Sequence, residues 1–218
     1  MTPDTAWPVP FILDPQNLSA GSAAAFIVSV LLTLMINAEA QAFAGTFLGD
    51  SRVGAKDRFH FNAFLHLDFL GTICYLVAGF GWPRPLEFDR SKFARPRLYM
   101  VIARLAGPTA NLLLASIAGS IVSIMKGFEA NPRVFLMVVG VNVTTAVYNL
   151  IILPPLAAGV LVQEMIPTEY ATLRRIFWQA GPFLILALAL LDRLSPHGIV
   201  GPYLDPLIVA VFNFIRGH

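Results

Sequence analysis

"LLTLMINAEAQAFAGTFLGD", residues 31–50, decides the fold. It starts as an apolar helix, sets Asn37, Glu39 and Gln41 inside it, and ends at Gly49-Asp50. Residues four apart share one helical face. Asn37 and Gln41 therefore lie together, while Glu39, two positions from each, points away. In lipid an Asn–Gln face reads as a hydrogen-bonding seam between helices, worth about 0.6–2 kcal/mol per bond. Amides are poor zinc ligands, because zinc prefers thiolate, imidazole or carboxylate. Ala38, beside them, cannot move a proton.

The surrounding chain supports a lipid environment. Of 218 residues, 56% are apolar and 13% charged, and mean hydropathy is +0.69. A soluble domain carries about 25% charged residues, so this composition predicts an integral membrane protein. A net charge of +2 suggests no nucleic-acid partner. The single cysteine, Cys74, excludes an internal disulfide and a thiolate metal cluster. The first 18 residues hold Asp4 and Asp14, several prolines and no Lys or Arg. That is the opposite of a signal-peptide start, and we read them as a short N-terminal tail on a single transmembrane domain, 1–218.

Membrane spans need about 20 mostly apolar residues. Residues 20–44, 98–125, 133–156, 174–192 and 199–215 meet that need. Residues 65–81, "LHLDFLGTICYLVAGFG", are shorter and interrupted by Asp68 and glycines, and read as a re-entrant segment. The predicted fold is all-α and polytopic, with about five or six membrane segments and a small extended or β element.

Loop charge gives the orientation. One side would hold Arg52, Lys56, Arg58, Arg84, Arg90, Lys92, Arg95, Arg97, Arg174, Arg175 and Arg216, eleven cations. The other would hold Lys126, Arg133 and Arg193, three. The positive-inside rule puts the basic side and the C-terminus in the cytoplasm and the N-terminus outside. This requires 65–81 to enter and leave on one side. Residues 81–97, "GWPRPLEFDRSKFARPR", cannot be helical through Pro83, Pro85 and Pro96. They read as extended chain at the membrane surface, either a basic loop near anionic lipid or a strand able to pair with another chain. Trp82 and Trp178 read as interface anchors.

Glu39, Asp68 and Arg104 are charges at membrane depth, with His66 the histidine at that depth. Such charges are usually paired or functional. A Glu39–Arg104 or Asp68–Arg104 pair is the plain expectation. A proton or ion pathway would use the same residues. His66 reads as a structural histidine beside Asn62 or Asp68. His60, His197 and His218 read as solvated. "LAGPTANLLLA" (105–115) is a close-packing segment around Pro108 and Asn111, and "VYNLIILPPLAAG" (147–159) ends a span at Asn149 and Pro154–Pro155. This break and the 37–41 turn fall at similar depth.

In order, "NAEAQAFAGTFLGD", "FNAFLHLDFLG", "GFGWPRPLEFD", "LAGPTANLLLA" and "YNLIILPPLAAG" resemble the motifs of the short bacterial site-2 proteases, intramembrane zinc metalloproteases. The resemblance covers roughly residues 20–215. Family members carry His-Glu-x-x-His before the Gly-Asp and an aspartate after the Pro-Pro. Counting back from Gly49-Asp50, those positions hold Asn37, Ala38 and Gln41, and the aspartate falls on Ala157. The resemblance thus implies a degenerate site without zinc ligands or general base, on a retained scaffold of Asn62, His66, Gly107, Pro108, Asn111, Asn149 and Pro154–Pro155.

The expected function is that of an inactive homologue, without cofactor or zinc. It would hold transmembrane protein partners of a larger complex in the bacterial inner membrane, as a structural subunit or assembly factor. Trp82, Pro83, Pro85, Leu86, Phe88, Asn111 and Asn149 are the candidate groove. A working metalloprotease using Glu39, His66 and Asp68, or an ion-handling subunit, are the alternatives.

Overall fold

Ser19 starts the first helix, α1 (Ala20–Phe47). Its hydroxyl accepts from the Ser22 N–H at 3.1 Å, and Ser22 Oγ accepts from the Ser19 N–H at 2.9 Å. This capping box fixes the helix start. The buried face carries Ser29, Thr33, Asn37 and Gln41, spaced by four, beside Phe26, Val30 and Leu34. Ser29 and Thr33 return their hydroxyls to the carbonyls of Ala25 and Ser29, both at 2.7 Å, so they can face apolar neighbours. The chain turns at Gly49, whose φ of +128° favours glycine. A Cβ there would sit 2.7 Å from the Lys92 carbonyl oxygen. The computed structural model describes residues 19–51, 61–195 and 198–217. The tail 1–18, Arg52, Lys56, Arg58, His60, His197 and His218 lie outside the described residues.

Residues 67–83 make a closed excursion. Asp68 caps α2 (Phe69–Ala78), accepting from the Gly71 N–H at 2.8 Å. The helix stops at Gly79, in left-handed conformation, and the chain returns extended. Leu67 and Pro83 form an antiparallel bridge, and the Arg84 N–H donates to the His66 carbonyl at 2.8 Å. Gly71 and Gly81 permit the return to lie against the helix, since a Cβ on Gly71 would strike the Trp82 carbonyl. The expected β element is reduced to this isolated bridge, and no strand occurs among the described residues. Pro83 and Pro85 lack the N–H groups that a ladder needs.

The helix α3 (Pro96–Gly127) has 32 residues and follows the start signal of a proline in the first turn. Then come α4 (Arg133–Tyr148), α5 (Ala157–Met165), α6 (Ala171–Leu194) and α7 (Gly201–Arg216). The expected single span 133–156 is therefore a 16-residue helix followed by a turn. Asn149 makes that turn. Its Nδ2 donates to the Thr145 carbonyl at 2.8 Å, and its Oδ1 accepts from the Ala157 N–H at 3.0 Å.

Helices α1, α3 and α4 pack mutually, α7 lies against α3 and α4, and α2 packs on α6. The stretches Ala20–Phe47, Pro96–Gly127 and Thr168–Leu194 are long and apolar enough to cross a membrane. The α2 and α4 helices are apolar but shorter, at 10 and 16 residues, against about 20 for a full crossing. Trp82 is 3% exposed and belongs to the core, which corrects its expected role as an interface anchor.

Candidate functional site

Gly107 brings α3 against the Asn37–Gln41 turn of α1. A Cβ at Gly107 would strike Asn37 Oδ1 and come within 2.9 Å of Gln41 Nε2. Small residues allow such close helix approach in lipid. At that contact Gln41 Nε2 donates to Asn37 Oδ1 at 2.7 Å, and Gln41 Oε1 accepts from Arg104 Nη1 at 2.8 Å. Arg104 Nη2 donates to the Leu86 carbonyl at 2.6 Å. The Arg104 guanidinium lies 4.9 Å from the Phe88 ring centre and 6.0 Å from that of Trp178. Asn37 is 2% exposed, and Gln41 and Arg104 are 8% each.

The expected pairing of Arg104 with Glu39 or Asp68 gives way to this arrangement. Asp68 instead caps α2. Glu39 faces the opposite side of α1, where its Oε1 accepts from the Phe61 N–H at 2.8 Å and lies 3.0 Å from His66 Nε2. Glu39 and His66 are both buried. Because the His66 carbonyl holds Arg84, Glu39 ties α1 to the base of the 67–83 excursion. The four residues proposed as one network thus occupy three places.

The extended segment closes over the Asn37–Gln41–Arg104 chain. Leu86 contributes its carbonyl, and Phe88 packs where a Cβ on Gly45 would collide with its ring. Asp50, fully buried at the end of α1, accepts from the Asp89 N–H at 3.0 Å. Pro83 is buried with Trp82, whereas Pro85, Leu86 and Phe88 are half-buried. Asn111 lies one turn beyond Gly107, fully buried, and neither of its amide atoms finds a partner among the described residues. Asn149 closes the turn before α5.

A second cluster was not anticipated. Glu164 on α5 is 4% exposed, and both of its oxygens meet Arg90, Oε2 at 2.9 Å from Nη1. Arg174 Nη2 stands 3.5 Å from Glu164 Oε1. The signal for Glu164 was present, since it is the one acid in the apolar run "AAGVLVQEM".

The resemblance implies zinc in working family members, so the donors at the matching positions matter. A catalytic zinc takes three protein ligands and an activated water. Asn37 and Gln41 offer only amide oxygens, and each already accepts a hydrogen bond. Ala38 is fully buried, and Ala157 is 4% exposed and contributes no side-chain donor. These residues do not fit zinc. Among the described residues no group of three or more His, Cys, Asp or Glu could hold a metal ion.

Comparison with known proteins gives a relative. A Bacillus subtilis (strain 168) protein named "Putative zinc metalloprotease YwhC" is 30% identical over 150 residues, covering 65% of this chain and 68% of that protein. No family model matches the chain, and no solved structure matches it. On that identity over two thirds of the relative, together with the ordered motifs, the chain belongs to the site-2 protease family.

Proposed function

We propose that this chain is a catalytically inactive site-2 protease homologue that holds transmembrane protein partners, as a structural subunit or assembly factor of a membrane complex. The observation that carries the reading is the Arg104–Gln41–Asn37 chain. It sets a guanidinium against the side chain standing at a zinc-ligand position, and a dication there would meet like charge. Segment 82–90 and the groove beside it supply the partner-facing surface, with Pro85, Leu86 and Phe88 its half-buried positions. In this reading residues 1–218 form one transmembrane domain of the bacterial inner membrane, with 65–81 re-entrant. The meeting of Leu67 and Pro83 supports that path.

The test is purification in mild detergent with metal analysis and identification of co-purifying membrane proteins. The expected result is a reproducible stoichiometric partner and far less than one zinc per chain. One zinc per chain, or membrane-substrate cleavage that a chelator abolishes, overturns the inactive assignment. A chain that purifies alone from its native membrane overturns the subunit role.

One observation favours a second reading, an ion- or proton-handling subunit. Glu39 and His66 make a buried carboxylate–imidazole contact of 3.0 Å. Substituting Glu39→Gln and measuring proton flux in the parent complex separates the two, since an unchanged flux leaves Glu39 structural.

A further inference from the structure

Asn37 and Gln41 keep the one-turn spacing at which two side chains on a helical face can grip a single ion. Their amide oxygens are turned elsewhere. Asn37 Oδ1 accepts from Gln41 Nε2 at 2.7 Å, and Gln41 Oε1 accepts from Arg104 Nη1 at 2.8 Å. The atom of residue 41 best suited to ligate is thus spent on a cation. Arg104 is held there from several sides. Its Nη2 donates to the Leu86 carbonyl at 2.6 Å, and the Phe88 and Trp178 ring centres stand 4.9 and 6.0 Å from the guanidinium. The residue is 8% exposed. An arginine stays charged at any working pH, so this cation is not removed by titration.

An open cavity of about 360 Å³ lies between segment 86–90 and helices α3, α5 and α6, and Arg104, Phe88 and Trp178 belong to its wall. Gln41 does not, and meets that wall through Arg104. A cation entering by the cavity therefore reaches the guanidinium before it reaches either amide. Glu164, the buried acid of the same wall, is already neutralised by Arg90. Arg104 has little room to withdraw. One turn further along α3, a Cβ on Gly107 would strike Asn37 Oδ1, so the two helices are pinned where the guanidinium faces Gln41.

From this arrangement we infer that Arg104 excludes divalent cations from the Asn37–Gln41 position, whichever side chains stand at 37 and 41. Two effects act together. The guanidinium repels a dication a few ångströms away, in a buried site that screens it weakly. Its N–H also occupies the lone pair through which residue 41 would bind. The inference deepens the inactive reading, on which it rests: exchanging the amides for metal ligands would not by itself restore a metal.

The test uses the full chain in mild detergent, with Co²⁺ and Zn²⁺ as probes. Asn37→His together with Gln41→His places two imidazoles one turn apart. This pair is made with Arg104 in place, with Arg104→Gln and with Arg104→Lys. Affinity is read from the Co²⁺ ligand-field spectrum and from Zn²⁺ retained on equilibrium dialysis. Each value is corrected for the same Arg104 form carrying Asn37 and Gln41. Arg104→Gln should tighten binding about 100-fold, because charges this close repel strongly even at an effective dielectric of about 20. Arg104→Lys keeps the charge and should gain far less. Arg97→Gln, which removes an exposed cation away from the cavity wall, should gain nothing. Arg104→Met is the second neutral variant should Arg104→Gln not fold, as its metal-free unfolding transition would show. Equal affinity with and without Arg104, including no binding in either, overturns the proposal, and so does an equal gain in Arg104→Lys. Stoichiometric zinc in the unsubstituted chain is a separate outcome, which overturns the inactive reading and the proposal with it.

Discussion

Gln41 uses both ends of its amide, donating to Asn37 and accepting from the buried Arg104. Replacing it by leucine removes the acceptor of a charged donor, and hydrogen bonds to charged groups are worth about 1.5–3 kcal/mol. Gln41→Leu should therefore lower the unfolding temperature in detergent by several degrees. Gln41→Glu, which keeps an acceptor facing the guanidinium, should lose less. An unchanged transition in Gln41→Leu would show that Arg104 re-pairs at no cost. Glu39 gives a parallel case on the other face. Glu39→Ala removes the acceptor of the Phe61 N–H and the contact to His66 Nε2, at about 1–3 kcal/mol, while Glu39→Gln retains the acceptor and should be milder. Equal losses in the two would mean that the carboxylate charge, rather than its oxygen, matters. Helical spacing alone placed Glu39 opposite Asn37 and Gln41, and the structure has them so. The partner of Arg104 was not legible. It depends on how closely α3 approaches α1, which one glycine sets at a distance of 66 residues from Gln41 in the chain. Asp68 was legible but was read by the wrong rule. An aspartate just before an apolar helical run is a cap signal, and the expectation that membrane-depth charges pair with each other obscured it.

At the scale of elements, the excursion 67–83 depends on two backbones lying in contact. Gly71→Ala would drive a methyl group into the Trp82 carbonyl, and overpacking of this kind costs about 1–3 kcal/mol. The return segment should loosen and Trp82, now 3% exposed, should become accessible to an aqueous fluorescence quencher. Trp82 emission that stays protected would mean the helix and its return separate without opening the core. The six apolar segments were visible as hydropathy. One of them, 133–156, misled on length for a physical reason. Residues 150–156 are apolar because they turn among α5 and α6, where Gly181 of α6 packs against Pro154, so composition continued the span after the helix had ended. Segment 83–89 was readable as extended from its prolines. That it pairs within its own chain required the Leu67 contact, which no local pattern encodes.

For the whole molecule, charge asymmetry gives an expected orientation that can be tested at the two ends of α3. Ser91 lies just before α3 and Ala130 just after it, and both are exposed. With eleven cations expected on the Ser91 side and three on the Ala130 side, the positive-inside rule predicts that Ser91 lies in the cytoplasm. Single cysteines test this directly, because the native Cys74 is fully buried and should stay silent toward a membrane-impermeant thiol reagent. Ala130→Cys should be labelled in intact spheroplasts. Ser91→Cys should be labelled only after the membrane is opened. The opposite pattern reverses the assigned orientation while leaving α3 a crossing helix. Labelling of both sites from one side would go further: α3, at about 48 Å, would not cross at all.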